Sequence, residues 1–437
     1  MNWFDFTLKL KGFPIEEAKK HLEKIQAIPE AEYANYIEEK KQEILDFHLQ
    51  HNSFYKDLLK NKKIEKWEDL PILTKNDLQQ PLKDRLSEGY SEKNVYVNKT
   101  SGSSGHPFVF AKEKFSHALT WAINMDRFGW FGLDFSSTLQ ARFYGIPLDK
   151  IGYYKERLKD KLASRYRFSI FDLSDKKLQS FLKEFYKKKF DYINGYTSSI
   201  VLFAKFLKRK NLILKEVCPT LKVCVVTSEM LLPDDKKLLE NQLGIPVVNE
   251  YGASELDLLA YQNPNDEWVL NNESLYIEIV DENNRPLPYG SEGKIIVTSL
   301  YNKAHPFIRY EVGDVGVISE KSTPKHQFLQ KLTGRTNDVA KLPSGKVVPG
   351  LTFYYVTKSI IEDAGDVKEF VVKQLSKENF EITYVAEEEI PSGKENEINL
   401  AMEKYLEKGL AIRLKRVSVL ERSKRGKLKQ FETLLKD

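Results

Sequence analysis

Cysteine is scarce in this chain of 437 residues, which contains only Cys218 and Cys224. Two cysteines cannot form a disulfide scaffold for a protein of this size, and their apolar neighbours predict two reduced thiols in a buried strand. The sequence also lacks an uncharged apolar stretch of the roughly 20 residues that a membrane helix needs. The first residues lack a cationic start followed by an apolar run, so no signal peptide is predicted. We therefore expect a cytoplasmic protein without a membrane span.

A strong excess of one charge is missing as well. The 68 Lys and Arg residues are nearly balanced by 63 Asp and Glu residues, and the net charge is +5. A net charge this small does not predict nucleic-acid binding. The charge is unevenly distributed, however, because residues 411–437 contain nine Lys or Arg and three Asp or Glu. This basic segment predicts either a solvated tail or a surface that faces polyphosphate.

The length of 437 residues exceeds what one compact core usually accommodates, so we expect two domains. Residues 1–90 predict a helical lead-in, because one set of residues follows helical spacing with charged residues between them: Ile37, Lys41, Ile44, Leu45 and His48. Thr74 with Asp77 three positions later predicts the start of a further helix.

The middle of the chain predicts an α/β fold. A strand over 221–226, a helix over 233–243 and a strand over 245–248 follow one another in the sequence. Such a β-α-β order implies a parallel sheet that is covered by helices. Alternating apolar residues over 275–279 and 293–298 then predict a β-rich subdomain.

The C-terminal part predicts a separate small α+β domain. Segments 370–372 and 380–385 have the composition of strands, and apolar residues from Ile398 to Leu406 form one helix face. Leu414 to Val419 predict a final strand. The expected fold class is therefore α/β, with a large N-terminal domain of helix-covered sheets, a β-rich subdomain and a small mobile α+β C-terminal domain.

Small and hydroxyl-bearing residues are concentrated in one loop, which consists of Thr100, Ser101, Gly102, Ser103, Ser104 and Gly105. Small residues let backbone N–H groups turn toward a common centre and hydroxyls add donors, so the loop predicts a concave anion site. By composition alone it would equally fit a surface loop, and no Gly-Lys-Ser/Thr closes it as in a Walker loop. The loop resembles the phosphate loop of the adenylate-forming superfamily, which includes acyl-CoA synthetases and peptide-synthetase adenylation domains.

Further motifs follow in the order of that superfamily. Segment 249–255 resembles its aromatic-Gly-x-Ser/Thr-Glu motif. The resemblance implies that Tyr251 and Gly252 lie against ATP with the tyrosine ring on adenine. It also implies that Ser254 binds the α-phosphate and that Glu255 holds Mg²⁺. Taken alone, the segment would fit a β-turn with a solvated glutamate.

Two segments nearer the C-terminus also match. Segment 308–314 resembles the one whose aspartate, here Asp314, accepts both ribose hydroxyls; each carboxylate oxygen can accept one charge-assisted hydrogen bond. Segment 425–429 resembles the C-terminal loop whose lysine, here Lys427, reaches the site for adenylation. Without this resemblance, an exposed acid in a turn and a solvated lysine would be the simpler interpretations.

Segment 332–338 resembles the superfamily's domain hinge, which implies that Arg335 contacts the nucleotide. Asn337 and Asp338 would belong to the hinge itself, although position 337 usually holds an acidic residue or lysine. This resemblance predicts an adenylating domain over 1–334, a hinge over 335–338 and a small domain over 339–437.

Within the superfamily, four segments are similar to the phenylacetate–CoA ligase branch and its capsular-polysaccharide relatives: 52–55, 70–75, 194–199 and 227–229. The resemblance implies an acyl pocket made of Tyr196, Thr197, Ser198, Gly252 and Ala253, and an adenine pocket that includes Ser228 and Glu229. Some phenylacetate ligases carry a Cys/His zinc cluster after the Tyr-Gly motif. Residues 261–272 contain neither Cys nor His, so no structural zinc is expected.

These motifs together predict an enzyme that uses ATP and Mg²⁺ to activate a small carboxylic acid as acyl-AMP. The acceptor remains open between CoA, a carrier-protein thiol and an amine, and the branch suggests capsular or cell-surface polysaccharide biosynthesis. Two alternatives stay open: an adenylyltransferase that places AMP on a hydroxyl, and a non-catalytic nucleotide-binding partner protein. The presence of Lys427, Glu255 and Asp314 argues against the inactive protein. The oligomeric state is also open, with a homodimer among the options.

Overall fold

The computed structural model describes residues 3–100, 108–146, 150–335, 339–349, 353, 361, 367–422 and 428–435. Its contacts divide the chain into two compact units, Met1–Val312 with Gly316–Lys331, and Gly313–Val315 with Leu332–Asp437. Of the predicted functional residues, Ser101, Gly102, Ser103, Ser104, Gly105, Asn337, Asp338 and Lys427 lie outside the described residues. No helix in the described ranges is long and apolar enough to cross a membrane.

The first unit begins with helices, as the sequence predicts. They are α1 (Trp3–Leu10), α2 (Ile15–Ala27), α3 (Glu30–His51), α4 (Ser53–Leu59), a short 3-10 helix (Trp67–Asp69) and α5 (Leu82–Arg85). Helix α2 buries Ile15, Ala18, Leu22 and Ile25, whose spacing of three and four places them on one face.

The predicted helix after Thr74 is wrong. Asp77 accepts bonds from the backbone N–H and the hydroxyl of Thr74, both at 2.7 Å, so the capping pattern is present. The chain nevertheless forms only a turn over 75–78. Pro81 explains the interruption, because the residue before a proline is disfavoured in the α conformation.

A seven-stranded sheet forms the centre of the first unit. Strands β1 (Tyr96–Lys99) and β2 (Val109–Lys112) form a separate antiparallel pair. The seven strands of the central sheet are β3 (Gln140–Tyr144), β4 (Arg165–Ser169), β5 (Tyr192–Tyr196), β6 (Val223–Thr227), β7 (Val247–Ala253), β8 (Asp257–Gln262) and β9 (Trp268–Leu270). Their spatial order is β4-β3-β5-β6-β7-β8-β9. The strands from β4 to β7 in this order run parallel. Strand β8 pairs antiparallel with both β7 and β9. The predicted parallel pair β6 and β7 is thereby confirmed.

Helices cover both faces of this sheet. They are α6 (Lys114–Gly129), α7 (Lys150–Leu162), α8 (Asp175–Lys187), α9 (Thr197–Arg209), α10 (Leu214–Val217) and α11 (Pro233–Leu243). Residues of α8, α9 and α11 pack with Phe143, Phe168 and Cys224 on one face. Residues of α2 and α6 pack with Tyr192 and Val225 on the other. Both cysteines are free and buried, but only Cys224 lies in a strand, since Cys218 follows α10 directly.

A second sheet has the order β10-β11-β12-β13. Its strands are β10 (Leu275–Val280), β11 (Glu292–Ser299), β12 (Tyr310–Ile318) and β13 (Leu329–Arg335). β10 and β11 pair antiparallel, which confirms the predicted β-rich part.

The second unit contains strands β14 (Val339–Lys341), β15 (Val347–Pro349), β16 (Glu369–Gln374), β17 (Asn379–Val385), β18 (Ala411–Arg416) and β19 (Phe431–Thr433), with helix α12 (Ser392–Tyr405). Four strands form a sheet in the order β18-β17-β16-β19. Phe353 stacks on Phe380 in its core, with ring centroids 4.2 Å apart. The predicted final strand through Val419 is wrong: β18 ends at Arg416, because its partner β17 ends there, and β19 is the later strand.

Candidate active site

A cavity of about 340 Å³ lies in the first unit, between one face of the seven-stranded sheet and helix α6. It reaches the carboxyl ends of β3, β6 and β7, where Tyr144, Ser228 and Gly252 line it. In open α/β sheets ligands bind at this end of the strands. The volume falls at the lower end of the range of about 300–1,000 Å³ that is typical of small-molecule pockets.

Four of the predicted site residues line this cavity: Ser228, Gly252, Ala253 and Ser254. Gly252 permits a close approach of two strands, because a Cβ atom there would lie 2.6 Å from the carbonyl oxygen of Asp257. Ser228 and Asp257, which also line the cavity, have φ values of 69° and 64°. Positive φ values outside glycine are uncommon and concentrate at functional sites.

Glu255 directly follows Ser254, which lines the cavity, and the glutamate side chain is buried. Its Oε1 accepts a hydrogen bond of 2.8 Å from the hydroxyl of Tyr310, the first residue of β12. A carboxylate has about four acceptor positions on its two oxygens, so one hydroxyl donor leaves capacity for a cation. The hydrogen bond therefore orients the Glu255 carboxylate and leaves other acceptor positions on its oxygens for a cation.

A second group of predicted residues is joined by hydrogen bonds at the start of α9. The backbone N–H of Ser198 donates to Oε2 of Glu229 at 2.7 Å, and the hydroxyl of Thr197 donates to the Glu229 carbonyl at 3.2 Å. A carboxylate at a helix N-terminus is favoured by the helix dipole. Tyr196 packs on the ring of Tyr144, with centroids 4.7 Å apart. Within the described part of the chain, none of these four predicted residues is part of the cavity wall.

The remaining predicted residues lie on separate elements. Tyr251 is buried on β7 and packs edge-on to Trp268, with centroids 6.1 Å apart. Thr100 directly follows β1; its N–H donates to the Phe108 carbonyl at 2.9 Å, and the Phe108 N–H donates to its hydroxyl at 3.1 Å. Asp314 is buried on β12 and belongs to the second unit. Arg335 is the last residue of β13.

The cavity wall also contains charged residues that sequence reasoning missed. Arg142 on β3, Arg165 on β4 and Glu250 on β7 all line it. Burial raises the pKa of Glu250. This effect outweighs two others that lower the pKa, a 3.0 Å hydrogen bond from Thr227 and the attraction of Arg142. Burial and the neighbouring charge of Arg142 lower the pKa of Arg165 to about 10, so it is still protonated at pH 7.

One sequence signal could have drawn attention to Arg142. Interior strands of a parallel sheet are usually apolar on both faces. The segments Gln140-Ala141-Arg142 and Arg165-Tyr166-Arg167 instead place polar residues at alternate positions. Such alternation indicates that one face of the interior strand β3 is polar, whereas β4 is an edge strand, where polar residues are common.

His117 adds a neutral polar group from helix α6. The indole N–H of Trp121 donates to its Nε2 at 3.1 Å, so the ring proton is assigned to Nδ1. The imidazole stacks on Tyr96 with centroids 3.9 Å apart, and burial lowers its pKa to about 4. His117 is therefore uncharged at neutral pH.

Comparison with known proteins agrees with this architecture. No protein-family model matches the chain. Protein CapK of Staphylococcus aureus is 23% identical over 355 residues, which cover 76% of this chain and 75% of CapK. A phenylacetate–coenzyme A ligase of Aromatoleum evansii is 30% identical over 125 residues, 28% of either chain.

Among solved structures, 2-hydroxyisobutyryl-CoA ligase in the postadenylation state with R3-HIB-AMP superposes with a TM-score of 0.70. The two chains are 17% identical, over 92% of this chain and 90% of the other. The fold is thus that of the adenylate-forming ligases, the class that the sequence motifs predict. CapK and the phenylacetate–CoA ligase are similar to this chain in sequence, and the sequence motifs resemble the same branch.

Proposed function

We propose that this protein activates a small carboxylic acid with ATP and transfers the acyl group to CoA, a carrier-protein thiol or an amine. The observation that supports this most directly is the cavity whose wall is formed by Gly252, Ala253 and Ser254, immediately before the oriented carboxylate of Glu255. A small acid would lie in the cavity, with its carboxylate toward this segment.

In the first step, a carboxylate oxygen attacks the α-phosphorus of ATP, the bond to the bridging oxygen breaks and pyrophosphate leaves. The carboxylate is already a nucleophile, so no general base is required. The protein must instead align two anions and offset their repulsion. In the second step, the sulfur or nitrogen of the acceptor attacks the acyl carbon and AMP leaves.

Several residues would bind the nucleotide in this proposal. The loop from Thr100 to Gly105 would cradle the phosphates and Ser254 would bind the α-phosphate. Tyr251 would stack on adenine, Asp314 would accept the ribose hydroxyls and Arg335 would contact the nucleotide. A preorganised donor aimed at developing charge typically contributes about 100- to 1000-fold in rate.

Mg²⁺ fits the residues present at Glu255. In the described ranges no group of three or more His, Cys, Asp and Glu side chains could hold a metal ion. Mg²⁺ beside a nucleotide does not need such a group, because it usually takes one or two carboxylates, phosphate oxygens and several waters. Glu255, oriented by Tyr310, would supply the carboxylate. The bound ion would neutralise phosphate charge.

The test is pyrophosphate release from purified protein with ATP and Mg²⁺ and a library of carboxylic acids. We expect release only when an acid is present, and formation of a thioester or amide when CoA, a carrier thiol or an amine is then added. Release with an alcohol and no acid would instead assign the protein as an adenylyltransferase. No release under any condition would contradict the proposal.

A further inference from the structure

One end of the cavity wall, away from Gly252, is lined by buried polar side chains. Gln140 and Asn194 are buried there and bond to each other at 3.3 Å. Arg142 lies beside them, and Arg165 lies on the neighbouring strand β4, paired in register with Gln140. A pocket for a purely apolar acid would not need these polar side chains, because burying a polar group costs free energy unless the group is hydrogen-bonded.

Arg142 has only neutral groups in direct contact. Its guanidinium donates a long bond of 3.4 Å to Gln140 and lies over the Tyr144 ring at 4.1 Å. Glu250 on β7 attracts Arg142 electrostatically, and burial raises the pKa of that glutamate. The Nε atom of Arg142 is buried without a hydrogen-bond partner among the described residues.

Arg165 is only partly compensated. Its one carboxylate neighbour, Asp160, lies 3.3 Å from Nε, but Asp160 already accepts two bonds of 2.8 and 2.9 Å from Arg167. Across the described residues, Nε of Arg165 also has no hydrogen-bond partner. Among the described residues, these two cavity-lining guanidinium groups donate only the long bond from Arg142 to Gln140, so most of their N–H donors are unfilled. A bound anion would fill them with charge-assisted hydrogen bonds.

The register of the sheet separates this end from the proposed reaction centre. Arg142 on β3 pairs with Asn194 on β5, and β6 and β7 follow, so Gly252 lies three strands away. At about 4.8 Å for each strand spacing, the two backbones are about 14 Å apart. One carboxylate cannot occupy both ends, so an acid that reaches both must carry a second anionic group.

We propose that the acid activated at this site carries a second anionic group, a carboxylate or a phosphate, which Arg142 and Arg165 bind. The inference rests on the proposed function and specifies its substrate class. The arginines would position the acid with its free carboxylate toward Gly252, Ala253 and Ser254. A monoacid of the same length would leave these N–H donors unfilled.

The experiment compares matched acids in the pyrophosphate assay: hexanoate with hexanedioate for a second carboxylate, and gluconate with 6-phosphogluconate for a phosphate. We expect the dianionic member of at least one pair to have a kcat/KM about 10- to 100-fold higher, the range expected for hydrogen bonds between charged groups. Arg142→Met should abolish this ratio, because the KM for the dianionic acid should rise by about the same factor more than the KM for the monoacid. Arg142→Lys should restore part of the ratio.

The control is Arg209→Met, the same change at an exposed arginine that bonds Asp175 at 2.8 Å outside the cavity. It should leave both acids unchanged. Equal or better activity of wild-type protein with both monoacids would overturn this inference but preserve the proposed function. An equal loss for both members of a pair in Arg142→Met and Arg142→Lys would also overturn it. No release with any acid would instead reject the proposed function.

Discussion

Glu255 illustrates how one residue depends on another that is distant in sequence. Tyr310 is 55 positions later and starts a strand of the second sheet, yet its hydroxyl donates to the Glu255 carboxylate. A ligand side chain held by an outer hydrogen bond binds metal more tightly, and loss of such a partner typically costs about 10- to 100-fold in affinity. If Glu255 holds Mg²⁺ as proposed, Tyr310 positions it.

We therefore expect Tyr310→Phe to raise the Mg²⁺ concentration for half-maximal pyrophosphate release by about tenfold. The maximal rate should largely recover at saturating Mg²⁺, because Glu255 itself remains. Tyr186→Phe is the matched control, since that tyrosine is 61% exposed. An unchanged Mg²⁺ dependence in Tyr310→Phe would show that this bond serves only the packing of β12.

Local sequence could predict the segment from Tyr251 to Glu255, because its residues are contiguous and their types define a motif. It could not predict Arg142 and Arg165 as a pair. The two arginines are brought together only by the parallel pairing of β3 and β4 around helix α7. A single charged residue in a strand has no feature of its own that distinguishes a cavity wall from an exposed surface.

The strands next to the cavity depend on one glycine. Gly195 on β5 lies opposite Phe143 on β3, and an added Cβ would be 2.5 Å from the Phe143 Cβ and 2.6 Å from its carbonyl oxygen. Both contacts are shorter than van der Waals distance and one involves backbone, so the strands would have to separate. Arg142 and Tyr144 flank Phe143 and would move with it.

Gly195→Ala is accordingly expected to destabilise the first unit by about 1–3 kcal/mol, the usual cost of overpacking. The KM for the acid should also rise. Gly129→Ala is the control, because no described atom outside its own helical turn lies within 4 Å of the added Cβ. Thermal unfolding of the two variants would measure the difference. Equal melting temperatures would mean that β3 and β5 adjust without cost.

Elements with strong periodicity were predictable, whereas elements decided by a distant partner were not. Helix α11 and strand β7 follow from local pattern and end signals. The turn after Thr74 shows that a capping pattern does not extend into a helix when Pro81 follows. The end of β18 at Arg416 is set by the length of β17, which local composition around Val419 does not reveal.

At the scale of the whole molecule, the chain divides into two units, and the proposed chemistry distributes residues over both. Gly252, Ser254 and Glu255 belong to the first unit, whereas Asp314 and Lys427 belong to the second. A hinge at 335–338 remains a prediction from the sequence. If it operates, the second unit can bring Lys427 to the reaction for adenylation and withdraw it for acyl transfer.

Because the proposed chemistry uses residues of both units, one substitution in the second unit should affect the two steps differently. Lys427→Ala should abolish pyrophosphate release from ATP and acid, because its charge would meet the negative charge that develops between carboxylate and α-phosphate. The same variant should still transfer the acyl group from chemically prepared acyl-AMP to the acceptor at nearly the wild-type rate. Lys429→Ala is the matched control, since that lysine is exposed two positions later in the same basic segment.

The two half-reactions separate a catalytic lysine from a structural one. If Lys427 only stabilised the second unit, its loss would slow adenylation and transfer alike and would lower the melting temperature. If the units did not rearrange, the lysine would stay near the reacting atoms in both steps, and both rates would again fall together. Loss of adenylation alone would show that Lys427 acts in one step and is dispensable in the other, which is the result expected if the second unit changes position between the steps.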